Sequence, residues 1–372
     1  MKRHQITQIQ KDLEKKMVFL VGPRQVGKTF LAKEIASGYE KSLYLNYDHL
    51  EDRQIIEKEA WRSNTDIIIL DEIHKMPQWK QYLKGVYDTK PPHLKILVTG
   101  SARLETFRKV GDSLVGRFFL HRLLPFSPSE LKQVGSNLSL TILFERGGFP
   151  EPLLSDSDKE ALRWRHQYTD GIIRHDILDF ENINHIKTIR LLFDLLRKKV
   201  GSPISYVSLS EDLQISPNTV KKYIDILEAL YIVFRVTPYS KNIARSILKE
   251  PKLYFFDSGL VDDEGPRFEN FLAVCLLKHL YALEDTEGTG GNLHYLRTKD
   301  KKEVDFCVNY PNKPLQLIEA KLSDASISTS LYFFHSTYNF QAKQVVFDLS
   351  RERLHGQIEV VSARSFLGDL YL

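Results

Sequence analysis

The sequence predicts an α/β protein of more than one domain, led by a mainly parallel sheet with helices on both faces. Three observations carry that expectation. The chain has 372 residues, and at ~150 residues per domain that length implies two or three cores. Over the first hundred residues short apolar runs alternate with longer amphipathic ones, the pattern of strands joined by crossover helices. The run Ile67-Ile68-Ile69-Leu70 is apolar without alternation, as a strand buried on both faces requires.

The composition, 42% hydrophobic and 27% charged, excludes a disordered chain or a fibre. No apolar stretch approaches the ~20 residues that cross a bilayer, so no membrane role is expected. The basic start Met1-Lys2-Arg3-His4 has no apolar stretch before residue 17; this speaks against a signal peptide and for a cytoplasmic protein. The two cysteines, Cys275 and Cys307, lack a metal-binding spacing and read as buried hydrophobes.

In order along the chain, residues 17–21, 42–47, 66–70 and 94–99 read as strands, with helical patterns between them. Residues 1–122 form the expected sheet domain. At Leu123-Leu124-Pro125-Phe126-Ser127-Pro128 the punctuation changes, and residues 123–185 read as a helical subdomain interrupted by the turn Gly147-Gly148-Phe149-Pro150. Residues 186–250 carry a helix-turn-helix pattern and then a strand, and residues 251–372 are mixed α/β.

Gly22-Pro23-Arg24-Gln25-Val26-Gly27-Lys28-Thr29 fits G-x-x-x-x-G-K-[ST] between an apolar strand and a helical pattern, the context that a phosphate-binding P-loop demands. Backbone N–H groups and the helix N-terminus would cradle phosphates, Lys28 would reach the β and γ phosphates of ATP, and Thr29 would ligate Mg²⁺. The strand 67–70 ends in Asp71-Glu72. Asp71 would hold the metal and Glu72 would polarise the attacking water, two tasks that one carboxylate cannot perform together. Ser101 or Thr99, ending the strand 95–99, would sense the γ phosphate or merely cap the strand. Arg117 is a candidate for the cation that neutralises transition-state charge, on its own site or a neighbour's; a plain surface arginine is the alternative.

The P-loop, Asp71-Glu72, Thr99-Gly100-Ser101, Gly116-Arg117 and Gly147-Gly148-Phe149-Pro150 together resemble the bacterial and archaeal AAA+-type ATPases of the additional-strand class. The resemblance covers nearly the whole chain. It implies a P-loop NTPase sheet joined to a C-terminal module of unknown function.

Residues 186–249 hold eleven Lys or Arg against five Asp or Glu, a local balance of +6 that exceeds the +4 of the whole chain. Ser216-Pro217 is a strong helix start. Val220, Ile224 and Leu227 share one face of that helix, leaving Asn218, Thr219, Lys221 and Lys222 at its accessible N-terminal end, where a recognition helix touches DNA. With the strand 232–237 opening a wing, the pattern resembles a winged helix. Such a domain can equally pack on the nucleotide domain or act as a switch.

Near the C-terminus, Glu303-Val304-Asp305-Phe306 and Leu317-Ile318-Glu319-Ala320-Lys321 read as strands, with Glu319 and Lys321 on one face, as are Glu303 and Asp305. This resembles the PD-(D/E)XK nuclease superfamily, with Val304 where its nominal proline stands. The resemblance implies Asp305 and Glu319 as magnesium ligands, Lys321 as the group that orients water or stabilises phosphate charge, and Glu269 as a carboxylate from an upstream helix. A solvated strand face is the alternative, and a nuclease fold can be retained for binding alone. The aromatic stretch Tyr332-Phe333-Phe334, with Tyr338 and Phe340, reads as core.

The leading expectation is therefore a magnesium-dependent ATPase associated with DNA and carrying a nuclease-like C-terminal domain. The alternative is a nucleotide-controlled switch whose silent C-terminal domain holds DNA or a protein partner. A homo-oligomer fits either.

Overall fold

The computed structural model describes residues 3–100, 114–135, 138–173, 186–240 and 250–372. They form two compact units, Met1–Leu124 and Pro125–Leu372.

The first unit is built on five parallel strands, β1 (Met17–Val21), β2 (Ser42–Asn46), β3 (Ile67–Asp71), β4 (Lys95–Thr99) and β5 (Phe118–Arg122), in the order β2-β3-β4-β1-β5. All five residues of β1 and of β3 are buried, which explains their unbroken apolar sequence. β4 lies between the strand that enters the phosphate loop and the strand that ends in Asp71. β5 was not apparent from sequence because Phe118-Phe119-Leu120-His121-Arg122 ends in polar residues. Buried His121 pairs through Nε2 with Asp12, at 2.8 Å. The core on one face gathers Phe19, Leu70, Trp79, Leu83, Ile96 and Val98.

The second unit is built on eight strands: β6 (Val233–Pro238), β7 (Lys252–Phe255), β8 (Asn292–Arg297), β9 (Glu303–Asn309), β10 (Gln316–Ser323), β11 (Gln341–Asp348), β12 (Arg353–His355) and β13 (Ile358–Ser362). Their order is β12-β13-β11-β10-β9-β8-β6-β7. The strand expected to open a wing is thus a member of the C-terminal sheet. β6 pairs with β7 antiparallel and with β8 through Thr237 and Pro238.

Buried polar contacts tie the helical stretch to the C-terminal one within this unit. Lys278, on the long helix Glu264–Glu287, donates to the Pro125 carbonyl at 3.0 Å and pairs with Glu130. Arg165 donates to Asp257 at 3.0 Å and to the Arg146 carbonyl. The turn at Gly147-Gly148 has its reason here. A Cβ on Gly147 would overlap the Asp257 carboxylate, and one on Gly148 would overlap the Phe126 backbone. In the aromatic stretch Phe334 is buried, whereas Tyr332 and Tyr338 are about half exposed, so only part of it is core.

Candidate functional site

The phosphate loop follows β1 and runs into the helix Lys28–Ala36, whose N-cap, Gly27, has φ +99°. Gly22 has φ +143°, and a Cβ there would overlap the carbonyl oxygen of Leu123, so only glycine fits. Val26 is buried, Arg24 and Gln25 are exposed, and Gln25 takes a left-handed φ of +58°. Pro23 and Gly22 present their carbonyls inward to Lys28 Nζ, at 2.6 and 3.0 Å. Burial pulls the Lys28 ammonium down to about 8, against the raising effect of Glu72 and Asp71. Arg3, which the sequence did not single out, donates to the Val26 carbonyl at 2.6 Å and to that of Leu124 at 3.1 Å, tying the loop to the end of the sheet.

Parallel pairing of β3 sets Asp71 opposite both Asn46 and Thr99. Three hydroxyls converge on its carboxylate: Thr29 at 3.0 Å and Tyr44 at 2.7 Å on Oδ2, and Thr99 at 2.6 Å on Oδ1. Thr99 is therefore committed to orienting Asp71. Tyr44 is a further site residue, invisible as such in a strand reading; burial and its bond to Asp71 push its pKa upward. Ser101 lies outside the described residues.

Glu72 sits at a left-handed φ of +57°, with its N–H donated to the Thr99 carbonyl. Its Oε2 is buried and accepts no hydrogen bond, with His74 Nε2 at 3.6 Å and Lys75 Nζ at 3.8 Å. Burial and the adjacent Asp71 raise its pKa. The buried Lys28 at the start of its helix and the paired Thr29 hydroxyl and Asp71 carboxylate suit a nucleotide phosphate chain with a hard cation.

Arg117 lies away from the phosphate loop of its own chain. It precedes β5, and its carbonyl accepts from Met17 N–H at the start of β1. That is the sheet edge opposite the phosphate loop, roughly 16 Å away at ~3.3 Å per residue. Its guanidinium instead forms a two-point pair with Asp88, at 2.8 and 3.0 Å.

In the second unit the helices Tyr206–Leu213 and Pro217–Ala229 meet at a short turn. Val220, Ile224 and Leu227 are buried, while Asn218, Lys221 and Lys222 are exposed. Thr219 serves the helix start: its N–H donates to Ser216 Oγ, and the two hydroxyls lie 2.8 Å apart.

The C-terminal carboxylates do converge. Antiparallel pairing sets Ile318 opposite Phe306, which puts Glu319 beside Asp305, and the Ala320 N–H donates to Asp305 Oδ2 at 2.9 Å. Lys321 donates to Glu319 Oε1 at 2.8 Å. Glu269 reaches the cluster from its helix and accepts from Tyr254 at 2.6 Å. What sequence reasoning missed is Lys252. Its ammonium, 1% exposed, lies 3.0 Å from Glu269, 2.8 Å from Glu303 and 3.6 Å from Asp305. Burial lowers its pKa, but Glu269, Asp305 and Glu303 together outweigh that and hold it charged. Burial and Asp305 raise the pKa of both Glu269 and Glu319. Among the described residues no group of three or more His, Cys, Asp or Glu is arranged to hold a metal ion. The expected magnesium ligands Asp305 and Glu319 are thus met by lysines, and a divalent cation does not fit this donor set as it stands.

Three family models match successive stretches: an AAA domain over residues 14–132, and two domains of unknown function, DUF8612 over 137–263 and DUF4143 over 264–366. An uncharacterized protein of Mycobacterium tuberculosis is 25% identical over 331 residues, covering 85% of this chain and 72% of its own length. One of Methanocaldococcus jannaschii is 24% identical over 362 residues, covering 86% and 79%. A Walker-type ATPase of Pyrococcus abyssi has a similar structure, with a TM-score of 0.44, 15% identity, and coverage of 69% and 93%. No helix among the described residues is long and apolar enough to cross a membrane. The AAA-domain match and the loop geometry make the first unit a P-loop ATPase domain, which supports nucleotide binding and hydrolysis.

Proposed function

We propose that the protein is a cytoplasmic, magnesium-dependent ATP hydrolase that acts in association with DNA. The observation that carries the reading is the arrangement around Asp71. Thr29 donates to Asp71 at 3.0 Å, so the two side chains that would hold the metal lie together, and the residue after Asp71 offers a buried carboxylate oxygen with no hydrogen-bond partner. Such an oxygen can take the proton of an attacking water. Lys28 leaves the loop carbonyls to meet the β and γ phosphates. Arg117, on the far edge of its own sheet, would reach a nucleotide only on a second copy of the chain.

Glu72→Gln tests the hydrolytic assignment. It should bind a fluorescent ATP analogue as the parent does and lose turnover; unchanged phosphate release would remove Glu72 from this role.

DNA association rests on the basic stretch and on the exposed Asn218, Lys221 and Lys222 at a capped helix start, read as the recognition helix of a winged-helix domain within residues 186–250. Replacing both lysines by Ala should reduce the slope of log affinity against log salt by about 1.8, two phosphate contacts' worth. An unaltered slope would refute the contact. Residues 251–372 complete the reading as a PD-(D/E)XK-like domain. A second reading, in which that domain holds DNA or a protein partner without cutting, is favoured by the position of Lys252.

A further inference from the structure

The geometry points to Lys252 as a built-in cation that takes the place of a divalent metal in the C-terminal carboxylate cluster. The inference rests on the second reading above and gives its physical cause.

Magnesium binding would require Asp305 and Glu319 to turn uncommitted oxygens toward one point. Asp305 Oδ1 faces the Lys252 ammonium and Oδ2 accepts the Ala320 N–H. Glu319 Oε1 is taken by Lys321, and only Oε2, buried and without a hydrogen-bond partner, stays uncommitted. Lys252 enters from the edge strand β7, so its Nζ also meets Glu303 and Glu269, the carboxylates that would steady a metal shell. Tyr295 covers the ammonium, 5.5 Å from ring centroid to Nζ. Arg297 adds a further cation, 3.5 Å from Glu303. Four carboxylates thus face two lysines and one arginine, a balance of −1, and a dication entering would meet a fixed ammonium at bonding distance. A buried charge left without its partner is costly, so Lys252 is held in place by the same carboxylates that it occupies. A domain with this cluster retains the shape of a nuclease site and works by holding its partner.

The consequence is a gain of metal binding when the ammonium is removed. The full chain carrying Asp71→Asn, which silences the phosphate-loop metal ligand, is titrated with Mn²⁺ while free Mn²⁺ is read by electron paramagnetic resonance. It should show no saturable site. Adding Lys252→Met should create one Mn²⁺ site per chain, lost again when Asp305→Asn is also present. Saturable binding with Lys252 intact that Asp305→Asn abolishes, or a folded Lys252→Met chain that binds no Mn²⁺, would overturn the inference.

The wild-type chain supplies a second arm that needs no folded variant. Incubated with supercoiled, branched and single-stranded DNA and Mg²⁺ or Mn²⁺, with and without ATP, it should leave the DNA intact. Cutting that Lys321→Ala abolishes would overturn the proposal. ATP turnover, measured separately, reports on the first unit alone, so its failure leaves both arms readable.

Discussion

Gly22→Ala makes the phosphate loop testable through its backbone. At φ +143° an L-residue occupies a region that glycine alone enters readily, at a cost of about 1–3 kcal/mol. The added methyl would also lie well inside the ~3.3 Å at which a carbon meets a carbonyl oxygen, because the Leu123 carbonyl faces it. That carbonyl cannot retreat cheaply: the Leu123 N–H is bonded to Val21 O at 2.8 Å, and Arg3 pins the neighbouring Leu124 carbonyl. Forcing such a contact apart adds about 1–3 kcal/mol. The two together come to about 4 kcal/mol. If the loop escapes by leaving its binding conformation, the competent fraction falls and ATP affinity drops by roughly 10³-fold. Equilibrium titration with a fluorescent ATP analogue reads this directly, and urea unfolding reads any part taken from stability. The same substitution at Gly85 is the control. Inside the helix Trp79–Thr89 nothing lies within 4 Å of its added Cβ, so Gly85→Ala should stabilise by about 0.5–1 kcal/mol. Affinity within threefold of the parent and unchanged stability in Gly22→Ala would refute the reasoning.

The depressed pKa of Lys28, about 8, gives nucleotide binding a proton linkage. Phosphates favour the charged form, so binding should take up a proton near pH 9 and almost none near pH 6.5, with affinity falling as pH rises through ~8. For folding the sign is opposite: the unfolded lysine keeps its proton up to its ordinary value of 10.5, so this residue's contribution to stability rises with pH between the two values. Calorimetry in buffers of different ionisation enthalpy checks the uptake, and equal uptake at both pH values would exclude it. In the second unit, Lys278→Met leaves Glu130, fully buried, without its ammonium. The loss should be about 3–5 kcal/mol in denaturant unfolding followed through Trp164, and adding Glu130→Gln should recover part of it. A loss under ~1 kcal/mol would show that the pair is not the buried tie read here.

Local chemistry was legible without any structure. The apolar runs of β1 and β3, the glycines at 22 and 27, and the adjacent Asp71 and Glu72 each depend on neighbours within a few residues, so spacing alone determined the phosphate loop and the acidic strand end. The capped start at Ser216-Pro217 and the two-residue alternation that sets Glu319 with Lys321 are local in the same sense. Strand order, the far edge occupied by Arg117, and the entry of β6 into the C-terminal sheet depend on pairings between distant segments, which no periodicity encodes. Tyr44 and Arg3 are unremarkable in sequence and acquire their roles only where β2 pairs with β3 and where the N-terminal segment meets the loop.

Lys252 marks the boundary between the two kinds of information. Its neighbours Pro251 and Leu253 say nothing of carboxylates, yet three converge on it from a helix 17 residues away and from a strand still further along the chain. A sequence determines which charges a chain carries and which face of its own element each one takes. Whether a carboxylate cluster meets a metal or an internal ammonium is decided by tertiary packing, because only packing brings the balancing charge within bonding distance and removes the water that would otherwise screen it.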